Sequence, residues 1–149
     1  MRPSYSPVEL LPHRPPRVLI DEIVDFDAES RTIVAAVDVR EEWRGNWVAI
    51  EYMAQTAAAL VGQFDRMGNA AAPARPGFLL GTRRLTLDVA AFETGRRYLV
   101  TATNDFADNE TASFDCKMAD SEGRVVASAH ITAYRPSDLT AFMAEMKRA

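Results

Sequence analysis

Apolar residues recur along this chain with two periods, and the switch between them marks out its elements. Residues 17–27 are apolar and β-branched and read as a strand, 28–30 as a turn, and 32–39 as the returning strand of a hairpin. Arg40 to Asn46 is a polar loop. The period then lengthens. Between Trp47 and Phe64, apolar groups at Ile50, Met53, Ala54, Ala57, Ala58, Val61 and Phe64 follow the spacing of one helix face, and no proline interrupts them. Asn46 is placed to cap this helix, and Gly68 or Asn69 to stop it. The two-residue period then returns. Residues 78–92, 96–105, 111–119 and 125–134 read as strands, with tight turns at 93–95 and 121–123. In the third of these, Ala112, Phe114, Cys116 and Met118 share one face. Residues 1–8 read as a loosely held arm, and residues 138–149 carry a short amphipathic C-terminal helix.

Two strands, one long helix and four strands make an α+β domain, with an antiparallel sheet wrapped around the helix. The helix face is wide and built largely of alanine, which suits close approach by a curved sheet. Gly81 lies inside a strand pattern, which predicts a bulge or a close approach by another backbone or a ligand.

Composition narrows the chemistry. The chain has 149 residues, 48% hydrophobic and 26% charged, which supports one domain over 1–149 with a full core. A net charge of −4 and a pI near 5.2 argue against nucleic acid as the partner. A single cysteine, Cys116, and two histidines, His13 and His130, exclude an internal disulfide and a cysteine-based metal site and make zinc unexpected. The first residues lack the apolar core of a signal peptide, and no apolar run is long enough to span a bilayer. A cytoplasmic protein is expected.

Two places stand out chemically. Glu51 is a carboxylate in an otherwise greasy helix, with Gln55 one turn later on the same side. This is either a solvated stripe near the positive end of the helix dipole or a functional pair. His13 and Arg14 lie where three prolines in five positions, Pro12 to Pro16, set a rigid extended shape. His13 reads either as a loop histidine or as a presented one. His130, in mid-strand, reads as a packing or surface histidine.

Leu10-Leu-Pro-His-Arg-Pro-Pro-Arg-Val-Leu-Ile-Asp21 is similar to the N-terminal signature of FabZ-type 3-hydroxyacyl carrier-protein dehydratases. Ile50-Glu-Tyr-Met-Ala-Gln55 is similar to the start of their central helix. With Gly77-Phe-Leu-Leu-Gly-Thr-Arg-Arg84, it resembles the ApeP-type dehydratases of aryl-polyene clusters. The resemblance runs from about Leu10 to Pro136 and implies a hotdog fold. It also implies dehydration of 3-hydroxyacyl thioesters to trans-2-enoyl thioesters, without metal or cofactor. The acyl group would be carried on the phosphopantetheine of an acyl carrier protein. Glu51 matches the helix glutamate and Gln55 the glutamine after it. Asn46, Trp47 and Val48 fall at the helix start, where backbone amides can polarise a thioester carbonyl. Gly81 falls in the strand expected beside the acyl chain. Arg75, Arg83 and Arg84, with Arg96 and Arg97, are candidates for docking an acidic carrier protein, or an ordinary solvated strand face.

The resemblance breaks at one point. FabZ-type enzymes carry a catalytic histidine in the loop before the helix, where this chain has Arg40 to Asn46 and no histidine. Three readings remain open: His13 takes the role beside Glu51, a second hotdog subunit supplies a histidine, or the chain is a non-catalytic partner. The resemblance implies a homodimer or heterodimer. A hotdog acyl thioesterase is the competing enzyme class.

Overall fold

The computed structural model describes residues 5–12, 17–71, 77–135 and 139–148. Six antiparallel strands form one sheet: β1 (Glu22–Asp27), β2 (Thr32–Asp38), β3 (Phe78–Leu87), β4 (Arg97–Ala107), β5 (Thr111–Ala119) and β6 (Val125–Tyr134). Their spatial order is β1-β2-β4-β5-β6-β3. A short helix α1 (Pro7–Leu10), the central helix α2 (Ala49–Gly68) and a terminal helix α3 (Leu139–Arg148) complete the described chain.

The expected α+β order holds, and so does the inward face of β5. Phe114, Cys116 and Met118 are buried beneath α2 with Val100 and Ala102 of β4 and Ile131 of β6. Burying the larger of these, Phe114, Met118, Val100 and Ile131, stabilises the fold by about 1.5–3 kcal/mol each. α2 packs mainly on β2, β4 and β5 and leaves the β6 and β3 side of the sheet less covered.

Four expectations change. First, the buried side of α2 only partly follows its apolar pattern. Met53 and Ala57 are buried as that pattern has them, together with Ala49, Tyr52, Thr56, Ala59, Leu60 and Gln63, whereas Ile50, Ala54, Ala58, Val61 and Phe64 are only half-buried. Alanine is small enough for either position, so the pattern alone did not fix the rotation. Second, Asn46 does not cap α2. It opens a 3-10 turn, Asn46–Val48, and its side-chain amide donates to the Val89 carbonyl at 3.0 Å. Third, residues 5–8 are not a loose arm. A capping box between Ser6 and Glu9 sets α1, and Leu10 and Leu11 are fully buried. Gly62 makes this docking possible, because a Cβ there would lie 2.5 Å from the Leu10 carbonyl oxygen. Fourth, β1 begins at Glu22; before it the chain runs extended, with the Asp21 amide bonded to the Ala36 carbonyl.

Candidate active site

The gap between α2 and the β5, β6 and β3 end of the sheet is a cavity of about 540 Å³. Ala54, Ala57, Ala58, Val61 and Phe64 form its helix wall, and Ala112, Phe114, Ile131 and Ala133 its sheet wall. The half-buried stripe that looked like the core face of α2 is thus the wall of a cavity. Small side chains there leave room that larger ones would fill.

Glu51 lines this cavity and is exposed in the single chain. Gln55, one turn on, is 1% exposed and uses both ends of its amide. Its Oε1 accepts from the Leu19 amide at 2.8 Å, and its Nε2 donates to the Arg17 carbonyl at 2.8 Å and to Glu51 Oε1 at 3.0 Å. One side chain therefore orients the carboxylate and fastens residues 17–19 to the helix. The sequence put Glu51 and Gln55 on one side but not in different environments. Gln55 is a clamp rather than a solvated partner. The proline-rich segment that carries His13 leads directly into this clamped stretch. His13 and Arg75 themselves lie outside the described residues.

The helix start is also reordered. Trp47 is 63% exposed, with its indole edge against Trp43 and no space for a Cβ at Gly45 beside it. The Tyr52 hydroxyl donates to the Trp43 carbonyl at 2.6 Å, and burial pushes the Tyr52 phenol up to about 12. Val48 is buried, and its amide is committed to the Gly45 carbonyl at 3.0 Å, so it is not one of the expected carbonyl-polarising donors. Gly81 sits at a bulge in β3, paired with Thr132, as one branch of its expectation had it. A Cβ on Gly81 would meet nothing within 4 Å among the described residues, so the close-approach branch of the expectation finds no support there. The cavity is lined by Leu79 and Gly77 of that region, not by Gly81.

The remaining arginines do not gather around Glu51. Arg83 and Arg84 face the opposite side of the sheet, where Arg83 Nη2 lies 3.5 Å from His130 Nδ1 and Arg84 Nη2 3.9 Å from Asp115. Arg97 is bidentate on Asp38 at 2.8 Å and also reaches Glu22 at 2.9 Å. Arg96 sits among Glu93, Asp120 and Glu122.

His130 is 6% exposed, and its Nε2 lies 3.1 Å from Asp105 Oδ2. A guanidinium can only donate, so Arg83 makes Nδ1 the acceptor and leaves the proton on Nε2, facing Asp105. The Ser113 hydroxyl donates to the other Asp105 oxygen at 2.5 Å. That bond first, and His130 second, hold the Asp105 carboxyl below its ordinary value. Asp105, Asp115 and His130 bring ligand-type atoms within 4.8 Å of one another. Arg84 already lies against Asp115, Asp105 is held by Ser113 and His130, and a metal at Nε2 would need the proton moved to the side Arg83 occupies. Burial pushes the Cys116 thiol up to about 12, which removes it as a nucleophile.

A family model described as ApeP-like, the ApeP dehydratase, matches residues 5–144. The chain belongs to the ApeP-like dehydratase family. Among solved structures, it is similar to the ApeI:P dehydratase heterocomplex of Xenorhabdus doucetiae, with 22% identity and a TM-score of 0.85 over 97% of this chain and 99% of that one. A hypothetical thioesterase with coenzyme A from Streptococcus pneumoniae TIGR4 matches at 14% identity and TM-score 0.60, over 77% and 84% of the two chains. Zebra fish thioesterase superfamily member 2 matches at 14% and 0.62, over 84% and 88%. The fold is the hotdog fold, shared by dehydratases and thioesterases. No match is found among curated proteins. No helix among the described residues is long and apolar enough to cross a membrane.

Proposed function

We propose that this ApeP-like chain acts in the cytoplasm on 3-hydroxyacyl thioesters of an acyl carrier protein, removing water to give trans-2-enoyl thioesters. The observation that carries the reading is Glu51 on the wall of an apolar cavity, with Gln55 fixing its carboxylate. Elimination needs a base for the α-proton and an acid for the departing β-hydroxyl. In this scheme His13 takes the α-proton and protonated Glu51 gives its proton to the hydroxyl, which leaves as water. Amides at Asn46 and Trp47 face the thioester carbonyl as charge builds on it. The reaction as written uses no metal or cofactor. Arg75, Arg83 and Arg84 remain candidates for the carrier protein, although the placement of Arg83 and Arg84 behind the sheet favours the solvated-face alternative.

A specific observation favours a second reading, that of a subunit completing the site of another hotdog chain. Among the described residues, the histidine in view is His130, and it lies on the opposite face of the sheet from Glu51. The edge strand β3 exposes Leu79, Leu80 and Leu85 by 40% or more, an apolar edge that monomers avoid. In this reading β3 pairs with a partner's edge strand, and the partner covers Glu51 and brings a histidine to it.

Hydration of a short enoyl thioester separates the two. Activity of the purified chain, lost in Glu51→Ala and in His13→Ala, supports the complete enzyme. Silence alone with activity restored by a second hotdog subunit supports the half-site. Hydrolysis with release of free thiol would replace both with a thioesterase.

A further inference from the structure

The cavity has two unlike ends, and both are marked on α2. Glu51 stands at one, and Asp65 at the other, roughly 21 Å further along the helix axis at about 1.5 Å per residue. Between them the helix offers Ala54, Ala58 and Val61. At the far end Arg135 Nη1, just beyond β6, meets Asp65 Oδ2 at 2.6 Å, with the two side chains only 25% and 24% exposed. Both residues line the cavity. Arg135 is fixed from behind by its amide, which donates to the Glu110 carbonyl at 2.7 Å. An ion pair thus joins the helix wall to the sheet wall at the Asp65 end of the cavity.

We propose that the Asp65–Arg135 pair is the floor of the cavity and sets the longest acyl chain the site accepts. This rests on the acyl-thioester reading above and names the specificity determinant of that site. Each methylene buried along the alanine wall tightens binding about fourfold. At the pair the gain ends, because a longer chain must break an ion pair whose side chains are only about a quarter exposed and set apolar methylenes against the two charges.

The test is calorimetric titration of the full chain with saturated acyl-pantetheine thioesters of increasing length, which bind without reacting. Wild type should tighten with each methylene up to a cut-off and then level or weaken. The double variant Asp65→Ala with Arg135→Ala should bind the short chains within about twofold of wild type. It should go on tightening past the cut-off, by about tenfold or more over two further methylenes. The charge swap Asp65→Arg with Arg135→Asp should restore the cut-off. Thermal melting checks the fold. Should the double alanine variant not fold, Asp65→Asn with Arg135→Met carries the same expectation. A cut-off unmoved in the neutral variants, with short chains still bound, overturns the floor alone. A wild type that binds no acyl thioester of any length overturns the floor together with the acyl-thioester reading.

Discussion

The two faces of the sheet each carry an ionisable group that the sequence marks out, and they treat it in opposite ways. On the inner side Glu51 opens onto a cavity, oriented by the Gln55 amide and exposed in the single chain. On the outer side His130 is buried, with Arg83 at one ring nitrogen and Asp105 at the other. Histidine is the side chain usually suspected of catalysis near neutral pH. Here the buried histidine has both nitrogens engaged, and the open depression of about 500 Å³ beside it is lined mostly by polar side chains such as Arg84, Asp115 and Lys117 rather than by an apolar wall. The carboxylate has space, a wall and a positioning partner. Accessible chemistry beside shaped empty volume, rather than residue type, is what separates a site from a structural network.

Reciprocal substitutions break this contrast most directly. Glu51→Ala should lower enoyl-thioester hydration by about a hundredfold or more, measured with any partner subunit present, while changing stability by less than about 1 kcal/mol in urea titration. His130→Ala should do the reverse: activity within a few-fold of wild type, and a loss of about 1–3 kcal/mol as Asp105 and Arg83 lose their shared partner. If His130→Ala abolished activity in a folded protein, the assignment of faces would be wrong.

Gly62→Ala tests the inner architecture. Its Cβ would press on the Leu10 carbonyl, so a loss of about 1–3 kcal/mol is expected, with faster proteolysis near α1 as the local readout. Gln55→Ala should cost about 2 kcal/mol, since the buried Leu19 amide loses its acceptor. It should also lower activity less than Glu51→Ala does, because the carboxylate remains but is no longer aimed.

Ser113→Ala gives the smallest effect and sharpens the outer face. The Asp105 carboxyl is held below its ordinary value of 3.8 in the folded chain, mainly by the Ser113 hydroxyl. A depressed folded value contributes stability above the unfolded value, and that contribution is lost as pH falls through the folded one. Removing Ser113 should therefore lower stability at neutral pH and move the acid unfolding limb upward. Wild type and variant should converge in strong acid, as urea midpoints across a pH series would show.

Much of the fold could be read from local pattern. The alternation at Ala112, Phe114, Cys116 and Met118 named the inward face of β5, because a strand has only two sides. The long helix and its place between two and four strands followed in the same way. The Glu51–Gln55 pair was visible because a polar pair interrupts a greasy helix. Gln55 as a clamp was not, since its partners at Arg17 and Leu19 lie far away in sequence. Gly62 carried no local sign either, because its role exists only against Leu10.

The sequence by itself determined the six strands and the long helix in outline, though not α1 or every strand end, and that one carboxylate stands near the start of the central helix. Those properties depend on the backbone period and the residue's own chemistry. Tertiary structure alone decided that β3 crosses to the far edge to pair with β6 rather than with its chain neighbour β4. It also turned α2 so that Ala54, Ala58 and Val61 wall a cavity, and it joined Asp65 to Arg135. Alanines fit a packed interface and an open wall equally well, and an ion pair between distant residues leaves no periodic trace. Such choices are made by what the rest of the chain places opposite each side chain.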